Sequence, residues 1–295
     1  MNLVDLYCSV DDFNRVFLHC WYQKLINSGE KQRRRARLMS ESEIMTILIH
    51  FHQSHFRDFK AYYLSYVCVA LKSAFPELLS YNRFVVLIPT VLIPLCAYLQ
   101  TRKVKTTGIS FVDATSIIVC QNKRIYGHKV FRQFAALGKT TKGWFYGFKL
   151  HLICNHDGEL INCVISPGNT DDRAPLPVLT KNMWGKLFGD KGYISQTIFE
   201  QLLTQGLQLV TGIKKNMKNK LLPLFDKLVL RKRAMIESVN NQLKNVFQIE
   251  HTRHRSTLNG LVNIIAALLA YTHHPRKPAI KLTYQEHKMI KYLAA

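Results

Sequence analysis

The chain of 295 residues carries 41 Lys and Arg against 19 Asp and Glu, a net charge of +22 that favours a polyanionic partner: a nucleic acid or an anionic membrane surface. A membrane span is disfavoured, because the longest apolar run, 84–99, is short for a bilayer crossing and contains Pro89 and Pro94. The N-terminus shows no secretory signal and the seven cysteines form no CxxC pair, so we expect a cytoplasmic protein without a membrane partner.

The first part of the chain has helical periodicity. Ser40 and Glu43 form a capping-box pattern before apolar residues at helical spacing, and another helix is predicted to begin near Ser80. A basic run before the capping box is either a solvated loop or a segment that contacts DNA phosphates, and we predict the second. Its cations are Lys31, Arg33, Arg34, Arg35 and Arg37. We assign residues 1–105 to a helical domain for DNA binding and dimerisation.

After residue 106 the pattern changes to strands. Segments 109–119, 143–155 and 159–169 are predicted strands, and Asp157 with Gly158 indicates a hairpin between the last two. A predicted helix over 171–183 follows, and then a strand, a helix, a strand and a last helix. This order predicts a mixed α/β sheet with flanking helices, as in the ribonuclease H-like fold. We assign residues 106–272 to this domain and 273–295 to a basic C-terminal tail.

Three of the scarce acidic residues stand in positions that require an explanation. Asp113 lies inside an apolar strand, where an unpaired carboxylate is costly, and Asp190 follows a strand end, where functional groups gather in α/β sheets. Glu237 lies beside the apolar stripe of the last helix, between Arg233 and Lys244. At helical spacing these three charged side chains project in nearly one direction. They form either a surface salt-bridge ladder or one edge of a site.

Converging carboxylates repel one another unless a cation lies between them. Oxygen ligands select Mg²⁺, with Mn²⁺ as a substitute, and two such ions can clamp the attacking and leaving oxygens of a phosphoryl displacement. The residues therefore predict metal-assisted cleavage of phosphodiesters, with Arg233 and Lys244 holding DNA phosphates. We expect Asp172 and Asn241 to support the carboxylates, and Asp171 to do the same or to cap the following helix.

Three blocks in the chain resemble the bacterial insertion-sequence transposases of the DDE type. They are FVDATSIIVC around Asp113, FGDKGYIS around Asp190 and RAMIESVNNQLKN around Glu237. The resemblance covers residues 108–270. Among these transposases, the chain looks most similar to the insertion-sequence group numbered nine-eighty-two. Arg233, Glu237 and Lys244 have the spacing of the family's Tyr-Arg-Glu-Lys signature, whereas Leu230 stands at the Tyr position, which is associated with handling a displaced base.

The resemblance implies a ribonuclease H-like catalytic domain with two Mg²⁺ ions in a bacterial, DNA-associated protein. It also implies double-stranded DNA partners, namely terminal inverted repeats and target, bound by a homodimer or larger synaptic complex. The expected function is cleavage at the ends of an insertion sequence and joining of the 3′ ends to target DNA. Two alternatives are a nuclease of the same fold that does not join strands, and a helical DNA-binding regulator. The regulator is disfavoured because three carboxylates would weaken phosphate binding.

Overall fold

The computed structural model describes residues 2–30, 37–141, 143–213, 222–250 and 254–280. The chain divides into two compact units. The helical unit contains Met1–Arg102 and Leu243–Pro275, and the sheet unit contains Lys103–Gln242 and Arg276–Ala295. The larger segment of the sheet unit, Lys103–Gln242, is thus inserted between the two segments of the helical unit. The division predicted from the sequence places residues 243–272 with the sheet instead. The functions assigned to the predicted domains stay predictions.

The N-terminal part of the helical unit consists of two longer helices and several shorter pieces. Ser40 and Glu43 form the predicted capping box: the Ser40 Oγ accepts from the Glu43 N–H, and the Glu43 carboxylate accepts from the Ser40 N–H at 2.7 Å. The elements are α1 (Leu3–Asn27), α2 (Glu41–Gln53), α3 (Phe59–Ala61), the π-helix Tyr62–Val67, α4 (Cys68–Ala70), α5 (Tyr81–Leu87), the 3₁₀ turn Ile88–Val91 and α6 (Leu92–Arg102).

The long apolar stretch changes from α-helix to a 3₁₀ turn at Pro89, but Pro94 causes no break. Pro89 lies in the 3₁₀ turn between α5 and α6, and Pro94 lies in the first turn of α6, where its missing N–H is tolerated. Tyr81–Arg102 has the length and mean hydropathy, 1.9, of a membrane-spanning helix, which by themselves are weak evidence for one. Its inner side is buried in the helical unit through Phe84, Val91, Leu95, Tyr98 and Leu99.

The described residues of the sheet unit form six strands in the ribonuclease H-like order. The order is β2-β3-β1-β5-β6, with β4 also paired to β3. Strand β3 is antiparallel to β1, β2 and β4, and β5 is parallel to β1 and β6. The strands are β1 (Ile109–Cys120), β2 (Ala136–Thr140), β3 (Gly143–Asn155), β4 (Leu160–Pro167), β5 (Gly185–Gly189) and β6 (Leu207–Thr211). The predicted fold class is therefore confirmed.

Two local differences from the prediction have simple causes. Strand β2 was not predicted, because ALGKT offers little apolar alternation. The helix predicted over 171–183 is wrong in extent: only α7 (Leu176–Leu179) forms, since Pro175 and Pro177 lack the N–H groups that a helix needs. The β3–β4 hairpin is as predicted, with Gly158 at a φ of 71° in its turn.

Helices α8 (Gln196–Thr204), α9 (Leu224–Arg231) and α10 (Ala234–Asn241) complete the sheet unit. Side chains from α7 and α8 join one sheet face in a buried apolar cluster that includes Val112, Ile153, Leu187, Leu202 and Leu209. Helix α9 contacts β5 and β6, and α10 contacts β1. The chain then continues through the π-helix Gln242–Val246 into the helical unit, where α11 (Thr257–Thr272) packs against α2 and α6.

Candidate active site

Two aspartates occupy matching positions on neighbouring parallel strands. Phe111 of β1 is the Cα partner of Phe188 of β5, and Asp113 and Asp190 each follow two residues later. Residues two apart along an extended chain point to the same side. The register therefore places the two carboxylates beside each other at the C-terminal end of β5. Asp190 also accepts a 2.7 Å hydrogen bond from the N–H of Lys191, which orients its side chain.

Asp113 is a desolvated carboxyl group with other charges close by. Its pKa is raised from 3.8 to about 6, chiefly by burial and in smaller part by the charges of Glu237 and Asp190. A hydrogen bond from the Ala114 backbone and the charge of Arg233 act in the opposite direction. The structure thus brings the three predicted carboxylates near enough to influence one another.

Helix α10 carries Glu237 along one side of the sheet unit. It buries Met235, Ile236 and Val239, whereas the Glu237 side chain is 59% exposed. Arg233 precedes the helix, and its Nη2 lies 3.0 Å from the Oε1 of Glu237. The two side chains therefore form an ion pair in this structure. Because Arg233 also lowers the pKa of Asp113, the same cation lies near the aspartate.

Asn240 is a site residue that the sequence analysis missed. It is 7% exposed, and its Nδ2 donates a 2.8 Å hydrogen bond to Oδ2 of Asp113. Its Oδ1 is buried without a hydrogen-bond partner among the described residues. Asn241, which we expected to support the carboxylates, is exposed. A signal was available: an amide among the apolar residues Ile236, Val239 and Leu243 needs a buried polar partner.

Asp172 and Tyr193 lie near the same carboxylates. The Oδ1 of Asp172 accepts a 2.8 Å hydrogen bond from the Nζ of Lys149. Burial raises the pKa of Tyr193, and the charges of Asp113, Asp172 and Asp190 raise it too. Within the described ranges the Tyr193 hydroxyl is buried without a hydrogen-bond partner. Asp171, in contrast, is held by the side chain and N–H of Arg173, which lower its pKa to about 2, and does not cap α7.

The predicted DNA-contacting cations lie in several places. Lys244 belongs to the π-helix Gln242–Val246, which interrupts the α-helical spacing assumed for it, and its Nζ lies 3.0 Å from the Oε1 of Glu250. Arg37 donates to the Thr90 Oγ1 at 3.0 Å. The other members of the basic run, Lys31, Arg33, Arg34 and Arg35, lie outside the described residues.

The donor set has the chemistry of a divalent-cation site. Three carboxylates, one of them desolvated, are the oxygen ligands that Mg²⁺ and Mn²⁺ prefer. As the side chains stand, no group of three His, Cys, Asp or Glu within the described part of the chain encloses a metal position. The Arg233 contact of Glu237 agrees with this, since it directs that carboxylate to a guanidinium.

Comparisons with known proteins identify the family. The model of the transposase DDE domain matches residues 103–257, more than half of the chain, including Asp113, Asp190 and Glu237. One similar solved structure is the cryo-EM structure of the piggyBac transposase synaptic complex with hairpin DNA, at 11% identity. The match covers 88% of this chain and 79% of that one, with a TM-score of 0.35. No curated protein matches. The chain belongs to the transposase DDE-domain family.

Proposed function

We propose that this DNA transposase cuts at the terminal inverted repeats of an insertion sequence and joins the 3′ ends to target DNA by phosphoryl transfer. The observation that carries the proposal is that Asp113 and Asp190 occupy matching positions on paired parallel strands. Glu237 lies near enough to raise the pKa of Asp113. Family membership and the net charge of +22 support it. Its partners would be double-stranded end and target DNA, bound by a homodimer or a larger synaptic complex.

Asp113, Asp190 and Glu237 would hold the metal ions, Mg²⁺ or Mn²⁺, two in each site. When bound, such ions activate the attacking oxygen and neutralise charge on the leaving oxygen. Asp113 contributes a carboxylate whose Oδ2 is fixed by Asn240. Asp190 contributes one that is oriented by the Lys191 N–H.

Glu237 must change partner before it can complete this set. Its side chain is exposed, and among the described residues its only ion pair is with Arg233. An exchange of Arg233 for a metal ion would leave the guanidinium available to a DNA phosphate, for which its fork of N–H donors is suited. Arg233 would then hold the scissile strand beside the carboxylates. Lys244 is proposed as a further phosphate contact in the same complex.

The experiment is strand cleavage by carboxamide variants on DNA that carries the sequences flanking the gene. Asp113→Asn, Asp190→Asn and Glu237→Gln should each reduce cleavage in Mg²⁺ below detection, because each removes a ligand and keeps the shape. DNA binding should be unchanged or slightly tighter, since a negative charge is lost. Asp157→Asn, in the exposed β3–β4 turn, is the matched control. Normal cleavage by any of the first three variants would remove that residue from the site.

Strand joining separates the proposal from a nuclease of the same fold. A duplex with a preformed 3′-OH end should be joined to plasmid target DNA by the wild-type protein. The Glu237→Gln variant should not join it. Efficient cleavage without joined products would favour the nuclease, and specific binding without either reaction would favour the regulator.

A further inference from the structure

The stretch that follows Asp113 has an unusual charge composition. From residue 114 to residue 156 the chain contains no Asp or Glu, but it contains seven Lys and Arg. In the structure much of this stretch forms the connector, residues 121–135, between β1 and β2, followed by the β2–β3 hairpin. A concentration of one charge sign on neighbouring elements attracts a partner of the opposite sign.

The cations of this stretch are displayed on an ordered framework. Phe131 is 3% exposed and packs edge-on against Phe148 at 5.5 Å, and His128 stacks on Phe131. Asn122 Nδ2 donates a 2.8 Å hydrogen bond to the Trp144 carbonyl, which ties the connector to the hairpin. Among the described residues of this stretch, five cations are exposed: Lys123, Arg124, Lys129, Arg132 and Lys139. We call them the connector surface.

Exposed aromatic rings lie in the same region. Tyr126 is 99% exposed and Trp144 is 57% exposed, with the Lys139 Nζ 5.5 Å from the centre of the Trp144 ring. Exposure of a large apolar ring to water is unfavourable compared with its burial. Rings placed among cations are typical of surfaces that touch the bases and backbone of nucleic acids.

The length of β1 sets the distance from the carboxylates to the connector surface. Strand β1 continues from Asp113 to Cys120. At about 3.3 Å per residue, that length is roughly 23 Å. Base pairs in a duplex are about 3.4 Å apart, so DNA lying along β1 would reach the connector roughly seven base pairs from the scissile phosphate.

We propose that the connector surface binds the phosphate backbone of double-stranded DNA on one side of the cut, about seven base pairs from it. The position of the cut rests on the proposed function, whereas DNA binding by this surface does not. Phosphate contacts carry no base information, so the surface fixes the path of the duplex rather than its sequence.

The binding test compares two triple variants of the full chain in a Glu237→Gln background, which prevents cleavage. Lys123→Ala/Arg124→Ala/Arg132→Ala removes three connector cations. Lys105→Ala/Lys181→Ala/Lys227→Ala removes three exposed cations elsewhere in the sheet unit. Thermal unfolding would verify that both remain folded.

The connector variant should flatten the slope of log affinity against log salt by roughly two to three, at about 0.9 per lost phosphate contact. The control should change it by less than one. Equal slopes for the two triple variants would overturn the proposal, since only net charge would then matter.

The position test measures cleavage by protein that keeps Asp113, Asp190 and Glu237. Its substrates are duplexes that end about 4 or about 12 base pairs beyond the cut. The connector variant should cleave the longer duplex less well than wild type and the shorter one equally well. Equal defects on both would place the surface elsewhere on the DNA. If no duplex is cleaved by wild type, the proposed function fails while the salt titration still decides DNA binding.

Discussion

Asn240 donates its Nδ2 hydrogen to Oδ2 of Asp113 at 2.8 Å, and so connects helix α10 directly to the carboxylate of strand β1. The contact lies three residues after Glu237, on the buried side of the same helix. One helix therefore presents a carboxylate to the site and also restrains the carboxylate opposite.

Loss of the Asn240 amide should loosen Asp113. A hydrogen bond to a charged group contributes about 1.5–3 kcal/mol, so Asn240→Ala should raise the Mn²⁺ concentration needed for half-maximal cleavage roughly tenfold or more. A titration of cleavage against Mn²⁺, together with calorimetric Mn²⁺ binding, measures this. Asn241→Ala, the exposed neighbour, should behave as wild type. A larger effect of Asn241→Ala than of Asn240→Ala would instead favour the expectation that Asn241 supports the carboxylates.

The burial of Asp113 predicts a pH-dependent stability in metal-free buffer. Its folded pKa, about 6, is above the unfolded value of 3.8, so its contribution is complete below pH 3.8 and is lost as the pH rises through 6. The loss amounts to roughly 3 kcal/mol. Asp113→Asn should therefore unfold several degrees higher than wild type at pH 8 in EDTA, and at the same temperature near pH 4. A constant difference in unfolding temperature between pH 4 and pH 8 would contradict the raised pKa of Asp113.

A buried ion pair offers a test of the sheet unit itself. Lys186 of β5 lies 2.6 Å from Asp226 of α9, whose side chain is 1% exposed. Removal of one partner from such a pair typically costs 3–5 kcal/mol, because it leaves an unpaired buried charge. Lys186→Met should destabilise the protein by about that amount in denaturant unfolding. The double variant Lys186→Met/Asp226→Leu should recover most of the loss; additive effects would show that the pair is not coupled.

Arg233 should affect the reaction more than it affects DNA affinity. It supplies one or two positioned contacts within a protein of charge +22, so its removal changes bulk binding little. We expect Arg233→Ala to lower the cleavage rate at subsaturating DNA tenfold or more and the affinity less than about threefold. Arg231→Ala, an exposed cation at the end of α9, is the control. If Arg233→Ala cuts at the wild-type rate, its pair with Glu237 is only a surface salt bridge.

Much of the sheet and two of the carboxylates follow from local sequence features. Strand periodicity and the Asp157–Gly158 turn predict the antiparallel part, and Asp113 and Asp190 stand out because apolar residues precede them. The role of Asn240 depends on the approach of α10 to β1, which is a tertiary contact that helical spacing alone does not reveal. The proline-shortened helix α7 shows the same limit, because apolar spacing and proline chemistry act in opposite directions there.

The most direct test of metal-dependent cleavage by these carboxylates is a change of metal preference. Asp113→Cys replaces an oxygen ligand with a thiolate, which Mg²⁺ binds poorly and softer ions such as Mn²⁺ accept better. We expect this variant to cleave DNA below detection in Mg²⁺ and to regain cleavage in Mn²⁺, whereas Asp157→Cys should cleave as wild type in both. Loss of cleavage in Mg²⁺ without recovery in Mn²⁺ would leave Asp113 without evidence of direct ligation. Undiminished cleavage in Mg²⁺ would contradict the assignment of Asp113 as a metal ligand.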